Sequence, residues 1–206
     1  MNILLKLSVN RVIQILLFFL FIVNVSEGLF SPILAVFVTG SIVGASLKTV
    51  GFAVAIFAIT KSIIQVPLAR RLDKQIGEKD DFYIMLAGAI IGTIYTFGFL
   101  LIESSLHLYF LSIIGGIGAA CLFAAYYGIF ARHIDKGSEG FEWSLYSVGG
   151  LTLSLAIGGA IGGIFADAFG FRTLFITAGS LNVLATILLL FLYPYLKKGF
   201  LQPNVK

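Results

Sequence analysis

The stretch that decides the fold is Trp143-Ser-Leu-Tyr-Ser-Val-Gly149-Gly150-Leu-Thr-Leu-Ser-Leu-Ala-Ile-Gly158-Gly159-Ala-Ile-Gly162-Gly163-Ile-Phe-Ala166-Asp167-Ala-Phe-Gly170-Phe-Arg172. In water so many glycines would spell a loop. Here they stand among Leu, Ile, Ala and Phe, with no proline and no charge from Trp143 to Ala166. That reads as a membrane-spanning helix with a smooth, small-residue side. Gly149, Gly159 and Gly163 fall near one side of such a helix, where another helix can pack backbone to backbone in lipid. Asp167, Gly170 and Arg172 then mark a turn facing water.

The rest of the chain repeats the pattern. Its 206 residues are 59% hydrophobic and 12% charged, with mean hydropathy +1.02. Soluble domains carry about 25% charged residues, so an integral membrane protein is indicated. A crossing takes about 20 apolar residues, and six crossings with short loops use up the sequence. The expected helices are 12–38, with Pro32 in its outer part, then 47–69, 82–102, 108–131, 141–166 and 171–196. Lys6 and Arg11 before an apolar run resemble the start of a signal peptide, but apolar character resumes at Leu29, so a retained first helix is expected. Together they make one all-α transmembrane domain over residues 1–206.

Charge fixes an expected orientation. Lysines and arginines gather at the N-terminus, in the 70–81 and 132–140 loops and in the C-terminal tail, while the opposite side has Lys48 and Arg172. The positive-inside rule puts both termini in the cytoplasm of a cell membrane. The net charge of +4 is therefore topological and no sign of nucleic-acid binding.

A weak internal repeat relates the two halves. Ala69-Arg-Arg-Leu-Asp73-Lys-Gln-Ile-Gly77 closes the second helix, and Gly163-Ile-Phe-Ala-Asp167-Ala-Phe-Gly170 closes the fifth. Each is a small residue, an Asp four later and a Gly soon after, on opposite sides of the membrane. Two inverted three-helix repeats are the expectation.

With these stretches the sequence resembles the major facilitator superfamily. Asp73-Lys74-Gln-Ile-Gly77-Glu78-Lys79 is similar to that family's loop between helices 2 and 3, although Ala69 replaces its usual glycine and one extra residue separates Asp73 from Gly77. Gly115-Gly116-Ile-Gly118-Ala119-Ala120 is similar to its helix 4, with Ser112 where proton-coupled members often carry arginine. The segment from Trp143 to Arg172 matches best, but reads Gly159-Ala160 where antiporter-type members have Gly-Pro. The resemblance covers the N-terminal six-helix half of a twelve-helix family. It implies a secondary transporter of small solutes whose fifth helix packs on another half, supplied by a second copy or a separate polypeptide. It also implies that Asp73, Gly77 and Lys79, with Arg70 and Arg71, act in the conformational cycle, with Arg132 and Asp135 as partners. A non-transporting scaffold or a transporter fragment is the alternative.

Several polar residues lie inside apolar runs. Glu27 is about 15 residues into the first helix, roughly 22 Å along it. A carboxylate that deep costs several kcal/mol unless paired, wet or protonated. Asn24 and Ser31 share its helix face. The stripe reads either as a cavity lining that binds a cation, a proton or a polar solute group, or as the start of a bent outer segment near the headgroups. Lys61, with Gln65 one turn on, is a cavity candidate, a partner for Glu27, or a side chain snorkelling to the surface. Tyr126 is a cavity candidate; Tyr127 and Tyr146 suit cavity or interface, and Trp143 the interface. No enzymatic pattern emerges. His107 and His133 lie on opposite sides, Cys121 has no base at its depth, and no Walker-type phosphate loop occurs, so no metal, cofactor or ATP-driven step is expected.

Overall fold

Asn10 starts the first helix: its side-chain oxygen accepts the Ile13 N–H at 3.0 Å, satisfying one of the free donors of the first turn. The computed structural model describes residues 9–74 and 77–196; Lys6, Gln75, Ile76, Lys197 and Lys198, which figure in the expected ends and loop, lie outside the described residues. Helix α1 runs Arg11–Phe30. Pro32, which has no N–H to give, interrupts it. The chain makes a 3-10 turn, Ser31–Ile33, and resumes as α2, Leu34–Ser41. The expected bent first span is thus two helices in line.

Helix α3, Leu47–Leu72, opens with a capping box in which Ser46 and Thr49 bond each other's backbone. It buries little: Phe52, Val54, Ile59, Ile63 and Val66 all point outward. An apolar outer surface is what a lipid-facing helix presents. Helix α4 is Lys79–Gly98, beginning three residues before the expected Phe82, and ends in a 3-10 turn, Phe99–Leu101. Helix α5, Ser105–His133, is capped by the Ser104 hydroxyl.

The glycine-rich stretch departs most from expectation. After α6, Glu139–Ser144, the backbone widens into a π-helical segment, Leu145–Leu153, before α7, Ser154–Leu190. Thr152 Oγ1 donates to the Ser147 carbonyl five residues back, at 3.1 Å, in step with that wider turn. Two helical arms of α7 meet within the expected 167–172 turn, at Gly170, whose φ 79 and ψ 166 are a backbone conformation essentially confined to glycine. The chain reverses there. Gly158 packs on Val25 and Gly28 of α1, and the Ala178 carbonyl accepts from Ser26 Oγ at 2.8 Å. Residues on either side of Gly170 therefore meet one turn of α1.

Among the described residues, five helices are long and apolar enough to cross a membrane, the last being Glu139–Tyr195 with the Gly170 reversal inside it. Two apolar cores hold them. One, nearer Asn10, gathers Leu16, Phe19, Met85, Tyr126, Phe130 and Leu189. The other gathers Leu29, Phe37, Phe99, Leu174 and Phe175, with the Phe99 and Phe175 rings stacked 4.9 Å apart.

Candidate solute-binding cavity

Between the two cores the helices leave a cavity of about 240 Å³. Small residues make the room. Gly88 and Gly92 of α4 line it together with Gly115, Gly118 and Ala119 of α5, and Gly88 and Gly118 let the two helices touch backbone to backbone. Polar groups then enter from four helices: Asn24 and Glu27 from α1, Lys61 from α3, Tyr95 and Thr96 from α4, and Asn182 and Thr186 from the returning arm of α7. Phe57 and Phe123 form aromatic walls.

The geometry is uneven in its satisfaction. Asn24 Nδ2 donates to the Leu20 carbonyl at 3.0 Å. Thr96 Oγ1 donates to the Gly92 carbonyl at 3.1 Å and accepts from Asn182 Nδ2 at 2.8 Å. Thr186 Oγ1 donates to the Asn182 carbonyl at 2.8 Å. Asn182 Oδ1 is buried with no donor. Lys61 Nζ lies 4.6 Å from the centre of the Phe123 ring, a cation–π contact. Among the described residues, no hydrogen bond or ion pair engages the Glu27 carboxylate; of the three alternatives for Lys61, direct pairing with Glu27 is not formed, although both groups line one cavity.

Three sequence candidates stand elsewhere. Ser31 follows the end of α1, exposed and outside the lining, with its N–H bonded to the Glu27 carbonyl in helical register. Gln65 is half-buried on α3 outside the lining. Tyr126 is fully buried in the core, where its hydroxyl donates to the Leu16 carbonyl at 3.3 Å. Its neighbours Tyr127 and Tyr146 share a hydrogen bond of 3.0 Å, and Trp143 packs on Phe130. Conversely, Tyr95, Thr96, Asn182 and Thr186 were not anticipated. Asn182 and Thr186, four apart on the returning arm, repeat the signal that singled out Asn24 and Glu27.

The glycines divide by face. Gly158 and Gly162 touch the backbone of α1, and Gly150 meets the Leu20 side chain. Gly159 reaches only Pro32 and the Gly28 carbonyl, at 3.5 and 3.9 Å, while Gly149 and Gly163 face open space.

At the Asn10 end a second polar cluster joins α4 to α5. Arg132 Nε pairs with Glu78 at 3.2 Å and its terminal nitrogen with Asp81, while His133 Nδ1 stands 3.5 Å from Glu78. The two carboxylates are 3% and 1% exposed against 36% for Arg132, so the arginine covers them from the outside. Asp135 turns instead to Asn10, accepting at 3.2 Å. Asp73, Arg70 and Arg71 are exposed, and Lys79 Nζ lies 5.4 Å from the Tyr193 ring. Gly77 sits at φ 131.

Comparison with known proteins agrees with this architecture. The family model described as Major Facilitator Superfamily matches residues 16–204. The multi-drug resistance efflux pump PmrA of two Streptococcus pneumoniae strains, serotype 4 strain TIGR4 and strain R6, is in each case 28% identical over 188 residues. That covers 90% of this chain and 45% of the relative, so the chain spans about half the length of the curated relatives it matches. With apolar helices throughout and the family model matched along nearly its whole length, the chain is a multi-pass membrane protein and belongs to the major facilitator superfamily.

Proposed function

We propose that the chain is one half of a secondary transporter of small solutes, with the cavity around Glu27, Lys61 and Asn182 as its solute site. The single observation that carries this reading is the cavity itself: a carboxylate, an ammonium and an unpaired amide oxygen in the interior of an apolar bundle. Such groups are costly in a membrane interior unless they serve a passage or a ligand. The printed name of the relatives, an efflux pump, supports transport as the class and excludes no solute.

The chain crosses six times. At 1.5 Å per residue a helix as long as Glu139–Tyr195 would reach about 86 Å, far beyond one hydrocarbon core of about 30 Å, and the Gly170 reversal divides it into two crossings. Both ends then lie on the side of Arg70, Arg71 and Arg132, which the positive-inside rule assigns to the cytoplasm of the cell membrane. Inverted repeats find support in Asp73 with Gly77 and Asp167 with Gly170: both glycines have positive φ, at opposite ends of the bundle. Gly149 and Gly163, open on the outer side of the fifth crossing, are the seam for a second six-helix half. The Asp73–Lys79 loop and the Arg132 cluster act together as the contact that opens and closes the cytoplasmic end. The reaction is movement of solute, with no bond made or broken.

The test is two-sided labelling of a cysteine at Ala119, a lining residue, in a Cys121→Ala background, using a membrane-impermeant maleimide on oriented vesicles. A transporter that alternates its access is labelled from both sides. Labelling from neither side, or from one side only, refutes the reading and favours a non-transporting scaffold.

A further inference from the structure

The cavity groups with unspent bonding capacity fall into two kinds. Three are acceptors: the Glu27 carboxylate, the Asn24 Oδ1 and the buried Asn182 Oδ1. Two can donate: Lys61, whose ammonium has no oxygen partner beside its contact with the Phe123 ring, and Tyr95, whose hydroxyl is bonded to nothing among the described residues. The remaining hydroxyls and the Asn24 amide already donate to carbonyls of their own helices. A carboxylate and an ammonium thus line one cavity without pairing. A solute carrying only a positive charge would engage Glu27 and be repelled by Lys61. A solute carrying only a negative charge would meet the reverse. A molecule bearing both charges satisfies both at once, and two buried ions are tolerated best when each is paired and hydrogen-bonded.

We infer that the cavity takes a small zwitterion, an amine and a carboxylate on one short skeleton. Its ammonium sits on Glu27 and Asn182 Oδ1, its carboxylate on Lys61 and the Tyr95 hydroxyl, and its apolar part against Phe57 and Leu122. Size agrees: a cavity of about 240 Å³ has room for a small organic solute. This assignment rests on the transport reading of the same cavity and narrows it to a substrate class.

The test compares three probes of one carbon skeleton on the full chain in nanodiscs: L-leucine, isoamylamine, which lacks the carboxylate, and 4-methylpentanoate, which lacks the amine. L-leucine is expected to bind at least tenfold more tightly than either. Glu27→Gln should bring it down to the level of 4-methylpentanoate, and Lys61→Met to that of isoamylamine. Isoamylamine binding as tightly as L-leucine, with Lys61→Met without effect, overturns the inference, as does binding of none of the three. The wild-type comparison decides the matter even if a variant folds poorly. The labelling of Ala119→Cys separates the two failures: two-sided labelling with no preference for L-leucine removes the zwitterion alone, whereas absent labelling removes the transport reading itself.

Discussion

Replacing Gly162 by alanine adds one methyl group where α7 lies backbone to backbone on α1. A Cβ at that position would stand 2.7 Å from the carbonyl carbon and 2.8 Å from the Cα of Leu29, and closer still to its oxygen. Ordinary contact begins at 3.4 Å, so the helices must part by at least 0.7 Å, the difference between 3.4 and 2.7 Å. No side-chain rotation relieves a clash with backbone. A gap of that order forfeits a quarter to a half of each close contact on either side, and overpacked sites lose about 1–3 kcal/mol. Since about 1 kcal/mol corresponds to roughly 2–4 °C for 150–250 residues, Gly162→Ala should lower the melting temperature by about 2–12 °C. Gly163→Ala, one residue along, makes the same change in helix propensity but meets nothing within 4 Å. It should leave the melting temperature within about 2 °C or raise it, because alanine favours helix over glycine by about 1 kcal/mol. Intrinsic-fluorescence melts in one detergent compare the pair. Equal melting temperatures for the two variants would refute the packing of α7 on α1 described above.

Arg132→Met strips the cover from the two nearly buried carboxylates Glu78 and Asp81. Removing one partner of a buried pair costs about 3–5 kcal/mol, and the half-exposed arginine reduces this to about 1–3 kcal/mol. Adding Asp81→Asn should restore part of the loss in a double-mutant cycle of melting temperatures, and strict additivity would contradict the pairing. Gly170→Ala forces a side chain into a conformation essentially limited to glycine, at about 1–3 kcal/mol, and should cut the yield of folded chain, whereas Gly40→Ala, which meets nothing within 4 Å, should not. Tyr126→Phe removes a hydroxyl that bonds only the Leu16 carbonyl, so it should cost about 0.5–1.5 kcal/mol of stability while labelling of Ala119→Cys is unchanged; altered labelling would put Tyr126 at the solute site.

The membrane class and the reversal at Gly170 could be read from the chain because lipid imposes long apolar runs and leaves a turn few residues to use. Asn24, Glu27 and Lys61 stood out for the same reason: a polar group in an apolar run has to go somewhere. Asn182 and Thr186 carried the same signal, but in helices an amide and a hydroxyl readily bond the backbone and attract less notice than a charge. Tyr126 shows the converse, since a buried tyrosine needs only one carbonyl, and Leu16 supplies it. The glycine pairs 158–159 and 162–163 offer two faces of one helix about 100° apart, from the 3.6-residue turn, and composition does not say which face meets α1. Packing assigns Gly158 and Gly162 to the interior. The π-helical Leu145–Leu153 was not legible in the sequence, because its apolar run with two glycines matches a lipid-spanning α-helix just as well. The partners of Arg132 were a matter of reach: Glu78 stands inside the loop motif as the cap of α4 and Asp81 two residues past it in the first turn, whereas attention fell on Asp73.

The account stands on the open Gly149 and Gly163 face being the seam of a two-half transporter. The most direct measurement is the mass of the assembly extracted from its native membrane in polymer nanodiscs, for the wild type and for Gly163→Leu, a substitution at a position with nothing within 4 Å in the chain itself. The account predicts the 22.3 kDa chain in a complex with a second six-helix body, and the free chain after the substitution. A lone 22.3 kDa chain in both samples would contradict it.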